Sequence, residues 1–306
     1  MSSSSSAAAL GSIRARSRRG ANYARHYWLF AAPAALIVLA VILFPWAFTL
    51  VISLNNWDPA GGASWAGLSN YVTLFTDARF GLAVVRTLYF SVLAVVAPVV
   101  LGVAAAVCFH KRFALRGLAR TIFVLPMMAT PVAIALVWTM MFHPQLGVLN
   151  YLLTSIGLPP FTWTYSPDTV IPTLAMVETW QWTPLVMLIV LGGLASLPID
   201  PYEAALLDGA NPWQSFRHIT LPLVWPFVIV AAVIRAIDAL KSFDVIYVIT
   251  LGGPGTASET INIFLYQTAF AYYHIGYAGA ITLVFFVIIV AISLVLLGVR
   301  QRARWQ

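Results

Sequence analysis

Residues 197–226 read LPIDPYEAALLDGANPWQSFRHITLPLVWP, a polar stretch between two long apolar runs. The segment from Glu203 to Leu207 consists of good helix formers, and Gly209 offers a turn or a C-cap after it. Pro212 suits the first turn of a second short helix, because the amide hydrogen that proline lacks is unpaired there in any case. Pro222 marks the transition into the next apolar run. The stretch therefore predicts a helix–turn–helix that lies outside the surrounding apolar segments.

The composition indicates that these apolar segments lie in a membrane. Of the 306 residues, 61% are hydrophobic and 9% are charged, whereas a soluble domain has about 25% charged residues. The net charge of +7 is concentrated at the ends of the apolar runs and forms no continuous basic face, which argues against nucleic acid as a partner. The one cysteine, Cys108, lies in an apolar run; it excludes an intrachain disulfide and is expected to be a buried, inert thiol.

Six apolar segments are long enough to cross a bilayer, which takes roughly 20 residues of helix. Lipid offers no hydrogen-bond partners to the backbone, so each segment is expected to be helical. The sequence therefore predicts an all-α integral membrane protein, with a six-helix domain at 28–299 between a flexible basic tail (1–27) and a short basic tail (300–306). The predicted spans are 28–54, 83–109, 119–142, 170–196, 222–249 and 278–299.

The distribution of lysine and arginine predicts the orientation of these spans. Thirteen of the seventeen basic residues lie in the two tails or next to the loops that follow spans two and four. The loops on the opposite side hold two, Arg79 and Arg86. Because basic residues accumulate on the cytoplasmic side of a membrane, both termini and the 198–222 loop are predicted to be cytoplasmic.

The spacing of residues in that loop resembles the EAA motif of ABC importer permeases. The motif comprises Glu203-Ala204-Ala205, Gly209 after three further residues, and Ile219-Thr220-Leu221-Pro222 after another nine. Asp208-Gly209-Ala210 and Phe216 resemble the carbohydrate-type branch of the family, which is related to maltose and glycerol-phosphate permeases. In the family this loop docks in a cleft of an ATPase subunit, so we call 198–222 the coupling loop. The resemblance implies ATPase-coupling roles for Glu203, Ala204, Ala205, Asp208, Gly209, Phe216, Ile219, Leu221 and Pro222.

The resemblance covers nearly the whole chain and implies its fold and partners. It implies a type I ABC importer transmembrane domain that pairs with a second, homologous permease subunit, as a heterodimer, and with two ATPase subunits. An extracytoplasmic solute-binding protein would deliver the solute. The chain has no G-x-x-x-x-G-K-[ST] phosphate-binding loop, because neither Lys111 nor Lys241 follows a glycine. ATP and Mg are therefore expected on the ATPase subunits, and this chain is expected to be a transport subunit without a cofactor, in a bacterial or archaeal inner membrane.

Span five carries four charged residues at three-residue intervals: Arg235, Asp238, Lys241 and Asp244. Charges inside a membrane are costly and mark either interhelical pairs or a solute pathway. On one continuous helix this spacing spirals around about half the circumference, so the four are not expected to face one cavity. Two interpretations remain open: the charges hold the helices and the partner subunit together, or some of them contact the solute.

A second polar group lies in span four, where Glu178, Trp180, Gln181 and Trp182 follow one another closely. A carboxylate, an amide and indole rings suit a hydroxyl-rich ligand, since they offer hydrogen bonds and flat apolar faces. Packing between helices is the alternative explanation. Together with the charges of span five, these four residues are the candidates for a translocation path.

The loops on the side opposite the coupling loop contain two further features. Phe243-Asp244, Thr250-Leu251-Gly252-Gly253-Pro254 and Thr260 resemble a pattern of the carbohydrate branch, and the resemblance implies a place near the docking site of the binding protein. These loops are also rich in aromatic residues, for which an interfacial belt and sugar stacking are the two interpretations. The residues are Trp57, Trp65, Trp163, Tyr165, Tyr272 and Tyr273.

The expected function is the import of a sugar or sugar-like solute (a sugar, polyol, glycerol phosphate or sugar acid) by alternating access. A permease for amino acids or peptides is the alternative within the importer class. A secondary transporter is a further alternative, although such proteins usually contain inverted repeats, and the sequence shows no clear repeat. A channel or scaffold subunit would have no need of the coupling loop.

Overall fold

The computed structural model describes residues 30–58 and 62–302. The predicted N-terminal tail (1–27) and residues 303–306 of the predicted C-terminal tail lie outside this range. Among the described residues, five helices are long and apolar enough to cross a membrane, and the total is six when a sharply bent helix pair is counted as one span. The predicted all-α membrane fold is confirmed.

The elements in chain order are α1 (Phe30–Ser53), β1 (Asn55–Asp58), β2 (Gly62–Trp65), α2 (Ser69–Thr76), α3 (Ala78–His110), α4 (Arg116–Met128), α5 (Pro131–Met141), α6 (Val148–Ser155), a 3₁₀ turn (Trp163–Tyr165), α7 (Val170–Ala195), α8 (Asp200–Leu207), α9 (Pro212–Ser215), a π-helical turn (Phe216–Thr220), α10 (Leu221–Leu240), α11 (Asp244–Thr250), α12 (Ile261–Tyr266), a second π-helical turn (Gln267–Ala271) and α13 (Ile275–Arg302). Strands β1 and β2 form an antiparallel hairpin.

Helix α7 lies at the centre of the bundle, packed against α3 and α10. Glycines bring these helices close together: a Cβ at Gly102 would lie 2.6 Å from Val186 Cβ, and one at Gly193 would lie 2.6 Å from the Phe227 ring. In a membrane such close approach matters, because helix association depends on van der Waals packing more than on a hydrophobic driving force. Glycine at these two positions therefore sets the spacing of the three central helices.

The bundle has two distinct ends. Helix α3 ends at His110 beside Tyr202 of the coupling loop, and we call this the coupling-loop end. At the far end, where α3 begins, the hydroxyl of Tyr277 in α13 donates a hydrogen bond to Asp77 at 2.8 Å. Helix α1 lies at the edge of the bundle, where Trp46 packs on Phe286 of α13 with ring centroids 4.2 Å apart.

The predicted span three (119–142) is not one continuous helix. The segment divides into α4 and α5, which meet at an angle of 97°. The break precedes Pro131, and a proline disfavours helical geometry in the residue before it. Thr130 is extended, and its hydroxyl accepts a hydrogen bond from the Ala133 amide at 3.4 Å, which caps the start of α5.

The prediction of span five (222–249) is also wrong at both ends. The helix begins at Pro212 within the coupling loop, continues without interruption through α9, the π-helical turn and α10, and ends at Leu240. Pro222 therefore lies inside this helix and does not start it. The remaining spans differ less, except that α13 continues through Arg302, into the segment predicted as a tail. Cys108 is exposed on α3, so the expectation of a buried thiol is wrong as well.

Candidate functional site

The end of α10 and the middle of α7 border a cavity of about 350 Å³. We call it the charged cavity, because three carboxylates and two cationic groups line it. Pro131, at the break between α4 and α5, forms part of the wall. Six of the eight residues predicted for a translocation path line it: Glu178, Trp182, Arg235, Asp238, Lys241 and Asp244.

The best-buried members of this group are Glu178 and Arg235. Arg235 Nη2 donates a hydrogen bond to Glu178 Oε2 at 2.8 Å, and the two side chains are 1% and 6% exposed. The guanidinium also lies 4.8 Å from the centroid of the Trp182 ring, a cation–π contact. Asp238 Oδ2 is 3.9 Å from Arg235 Nη1, but its side chain is 44% exposed. The charge of Arg235 is thus neutralised within the bundle, whereas Asp238 remains open to the cavity.

Helix α10 ends at Leu240 because tertiary contacts satisfy the polar groups that the break releases. Asn262 donates hydrogen bonds to the carbonyls of Leu240 and Ser242, at 3.4 and 3.3 Å. The Ser242 hydroxyl donates to Glu178 Oε1 at 3.2 Å. Sequence reasoning missed both Ser242 and Asn262. The polar interruption Lys241-Ser242-Phe243-Asp244 within an apolar run was the available signal for the break.

This break overturns the prediction that the four charged residues cannot face one cavity. Arg235 and Asp238 lie on α10, Lys241 caps its end, and Asp244 begins α11. All four line the charged cavity. The spiral spacing holds only for one continuous helix, whereas the chain leaves helical geometry between Leu240 and Asp244.

The structure places the other two path candidates outside the charged cavity. Trp180 is half exposed and packs edge-on against Trp138, with ring centroids 5.6 Å apart. Gln181 is fully buried, and its Nε2 donates to the Ala129 carbonyl at 3.3 Å, at the break between α4 and α5. Of the four candidates in span four, Glu178 and Trp182 therefore line the charged cavity, whereas Trp180 and Gln181 pack between helices. Gln181 supports the bend of the third span instead.

The coupling loop forms the predicted turn between two helical segments. Helix α8 ends at Leu207, and Gly209 follows with a φ of +73°, in the left-handed region that glycine adopts without strain. Asn211 caps the next helix: its side chain accepts from the Gln214 amide at 2.9 Å, and the Gln214 side chain accepts from the Asn211 amide at 2.8 Å. This capping box explains why the chain restarts as a helix at Pro212.

Most of the predicted coupling residues face outward. Glu203, Ala204, Asp208, Gly209 and Pro222 are exposed, whereas Ala205, Phe216, Ile219 and Leu221 are partly buried. Leu206 and Leu207 are 77% and 89% exposed at the tip of α8. The hydroxyl of Tyr202 donates to Thr220 at 3.1 Å, which fixes α8 to the π-helical turn. The loop thus presents an apolar tip on a hydrogen-bonded base.

The segment 250–260 is fixed to the far end of the bundle. Arg79 of α3 donates two hydrogen bonds to the buried Glu259, at 2.7 and 2.9 Å, and a third to Gln267 at 3.0 Å. Ser258 donates to the Gly253 carbonyl at 2.7 Å and shares a hydrogen bond with Thr250. Sequence reasoning assigned no role to Glu259, although it is the one carboxylate in the sequence after Asp244.

The chain resembles several curated permeases over most of its length. It is 36% identical to a probable ABC transporter permease protein, y4oQ, of Sinorhizobium fredii, covering 92% of each chain. It is 34% identical to the trehalose/maltose transport system permease protein MalF of Thermococcus litoralis, covering 90% of this chain and 94% of that one. It is 31% identical to the probable starch degradation products transport system permease protein AmyD of Thermoanaerobacterium thermosulfurigenes, covering 90% and 94%.

A solved structure shares the fold. One chain of a bacterial ABC transporter involved in the import of the acidic polysaccharide alginate superposes with a TM-score of 0.81 at 24% identity, covering 94% of this chain and all of that one. The family described as the binding-protein-dependent transport system inner membrane component matches residues 98–304. That match includes the coupling loop and every residue that lines the charged cavity. The chain therefore belongs to the binding-protein-dependent transport system inner membrane components, the membrane permeases of ABC importers.

Proposed function

We propose that this chain imports a neutral sugar or oligosaccharide by alternating access, as one permease of an ATP-driven transporter. The names of relatives that carry trehalose, maltose or starch products support the sugar class. The charged cavity supports a site for a hydroxyl-rich solute within the bundle. A second permease subunit completes the pathway, in a heterodimer in which each chain contributes one wall.

The observation that carries the proposal is the unbroken helix from Pro212 to Leu240. Its first eleven residues, about three turns, lie in the coupling loop, and its last two turns carry Arg235 and Asp238 at the charged cavity. At 1.5 Å per residue, these 29 residues extend over about 43 Å. A displacement of the loop therefore reaches the cavity through one rigid element, which is the physical requirement for coupling two distant sites.

Two ATPase subunits supply the driving force and bind ATP and Mg. The exposed tip formed by Leu206 and Leu207 suits insertion of a short helix into a groove on such a subunit. The ATPases work in the cytoplasm, so the coupling-loop end is cytoplasmic, as are both termini. The excess of lysine and arginine on that side supports this orientation in the inner membrane.

The charges of the cavity favour a neutral solute. Arg235 is already paired with Glu178, so the groups open to a solute are Asp238, Asp244 and Lys241. Two carboxylates and one ammonium leave a net negative charge, which disfavours glycerol phosphate and sugar acids. The carboxylates accept hydrogen bonds from sugar hydroxyls, and the ammonium donates them.

An extracytoplasmic binding protein delivers the solute at the far end of the bundle. The segment 250–260 suits its docking, because the Arg79–Glu259 pair holds this irregular segment in one conformation. Preorganisation of this kind lowers the entropic cost of binding.

Reconstitution tests the proposal. The complex that co-purifies with the tagged full chain is placed in liposomes with its binding protein, and uptake of labelled maltose, trehalose and glucuronate is measured with and without ATP. We expect ATP-dependent uptake of a neutral sugar and none of glucuronate. Equal uptake with and without ATP would identify a secondary transporter or channel, and uptake of glucuronate alone would contradict the assignment of a neutral sugar.

Variants of Gly209 test the coupling loop. A Cβ at Gly209 meets nothing within 4 Å, so a substitution acts through the backbone, where a left-handed residue costs about 1–2 kcal/mol. Gly209→Val, which is β-branched, should abolish ATP-dependent uptake while membrane insertion stays normal. Gly209→Asn is the matched control and should retain most uptake, since asparagine tolerates the left-handed region. Normal uptake by the valine variant would refute the assignment of this loop.

A further inference from the structure

A second cavity, of about 510 Å³, lies at the far end of the bundle. It is formed by β1, by α2 and by the turn that leads into α13. Its lining shares no residue with the charged cavity. Helix α3, which has 33 residues, begins beside it and ends beside the coupling loop, so about 50 Å separate the two ends. In the orientation proposed above, this cavity opens on the extracytoplasmic side.

The floor of this cavity is rigid. The buried Asn70 donates hydrogen bonds to the carbonyls of Ser53 and Asn55, at 2.9 and 3.2 Å, and so fixes α2 to the start of β1. Gly276 lies against the carbonyl of Asn55, where a Cβ would clash. Asp77 is held at the wall: its Oδ1 accepts from the Arg79 amide at 2.8 Å and its Oδ2 from the Tyr277 hydroxyl at 2.8 Å. These contacts preform a polar wall around the cavity.

Three aromatic side chains surround the cavity and remain open to it. Trp57, Tyr272 and Tyr273 are 41%, 49% and 56% exposed. Tyr273 has a φ of +58°, a conformation that is unusual for a bulky residue. Hydrogen bonds at the flanking residues maintain it: the Ile275 amide donates to the Tyr273 carbonyl at 3.0 Å, and the His274 amide donates to Thr268 at 2.9 Å. A strained residue that lines a cavity points to function.

These rings differ from the residues of an interfacial aromatic belt because they line a common cavity. Trp163 is an aromatic residue of the same side whose role is structural, since its indole nitrogen donates to Asn150 at 2.8 Å and its ring packs on Phe142. Trp57 and Tyr273 instead converge with Asn56 and Asp77 on one space. Aromatic faces beside hydrogen-bonding groups are the chemistry that recognises a sugar ring.

We propose that this cavity binds a neutral saccharide unit at the extracytoplasmic face, at a site separate from the translocation path. The rings of Trp57 and Tyr273 stack on the C–H faces of the sugar, and Asp77 accepts hydrogen bonds from its hydroxyls. The carboxylate of Asp77 is the one acidic group in the lining, which contains neither lysine nor arginine. Anionic sugars are therefore disfavoured. A volume of about 510 Å³ lies in the range of about 300–1,000 Å³ that is usual for small-molecule sites.

Saturation-transfer difference NMR tests this site on the full complex in nanodiscs, without ATP and without the binding protein. The probes are maltose, trehalose and glucuronate. We expect maltose or trehalose to bind and glucuronate not to bind. Trp57→Ala should weaken binding about ten-fold, as loss of about 1.4 kcal/mol does. Trp65→Ala is the matched control, because Trp65 belongs to the same hairpin but lies outside the cavity lining.

A second pair of variants distinguishes a loss of sugar binding from misfolding. Tyr273→Gly removes the ring while the backbone keeps its left-handed conformation, so binding should fall without loss of assembly. Tyr273→Phe keeps the stacking face and should bind like the unaltered chain. The proposal is overturned if neither disaccharide binds the unaltered complex or if Trp57→Ala binds like Trp65→Ala. If the complex imports no sugar yet shows Trp57-dependent binding, the proposed function fails and this site stands.

Discussion

Replacement of Glu178 by glutamine should destabilise the helix bundle by about 3 kcal/mol. The change leaves Arg235, whose side chain is 1% exposed, without the carboxylate that accepts its 2.8 Å hydrogen bond. Breaking a buried ion pair by removing one partner costs about 3–5 kcal/mol, because a charge stays buried without compensation. Asp238, at 3.9 Å from Arg235, offsets part of this cost. We therefore expect the lower end of that range.

The assay is equilibrium unfolding of the purified chain in mixed micelles, followed by tryptophan fluorescence. Arg235→Met should cost at least as much as Glu178→Gln, because Glu178 then lies in the bundle with Ser242 as its remaining hydrogen-bond donor. The double variant Glu178→Gln/Arg235→Met should return to within about 1 kcal/mol of the unaltered chain, since no uncompensated charge remains buried.

Additive effects would refute this reasoning. If the double variant is destabilised by the sum of the two single changes, Glu178 and Arg235 act independently and the pair does not hold α7 to α10. A loss below about 1 kcal/mol for both single variants would show that water reaches the pair, as it does for an exposed ion pair.

Two further predictions concern packing and the cavity. Gly193→Ala should destabilise the bundle by about 1–3 kcal/mol, because the new Cβ would lie 2.6 Å from the Phe227 ring. The control is Gly192→Ala, whose Cβ meets nothing within 4 Å. It should be neutral or stabilising in the same unfolding assay. Asp238→Asn should lower the apparent affinity for sugar uptake about ten-fold, as loss of a charged hydrogen-bond acceptor does. Asp168→Asn, a change at an exposed residue of another loop, should leave the affinity unchanged. Equal uptake by the two variants would exclude a contact between Asp238 and the solute.

The turn of the coupling loop could be predicted because its conformation depends on local interactions, although the helix that follows it continues into span five without the predicted boundary at Pro222. Gly209 accepts a positive φ, and Asn211 with Gln214 caps the next helix within four residues. Such contacts are visible in the order of the residues. The loop's exposed apolar tip was likewise predictable, because Leu206 and Leu207 lie in a short segment between two long apolar runs.

The charged cavity could not be predicted to the same extent. Its residues were found individually, since charges in apolar runs stand out, but their grouping was predicted wrongly. The end of α10 at Leu240 depends on Asn262, which is 22 residues away, and on Glu178 of another helix. The helix propensity of neighbouring residues gives no information about such contacts. Extending one helix through residues 241–243 therefore placed Asp244 on the wrong face.

The sequence by itself determined that this chain crosses a membrane, where all of its spans except the fifth begin and end to within about five residues, and that a polar helix–turn–helix precedes the fifth. Those properties follow from hydrophobic length and from short-range caps, which act within one segment. The tertiary structure alone decided that the third span bends by 97°, that one helix connects the coupling loop to the charged cavity, and that Trp57 and Tyr273 share a second cavity. Each of these depends on contacts between segments far apart in the chain, because a polar group released at a helix break is stable in a membrane only where another segment supplies its partner.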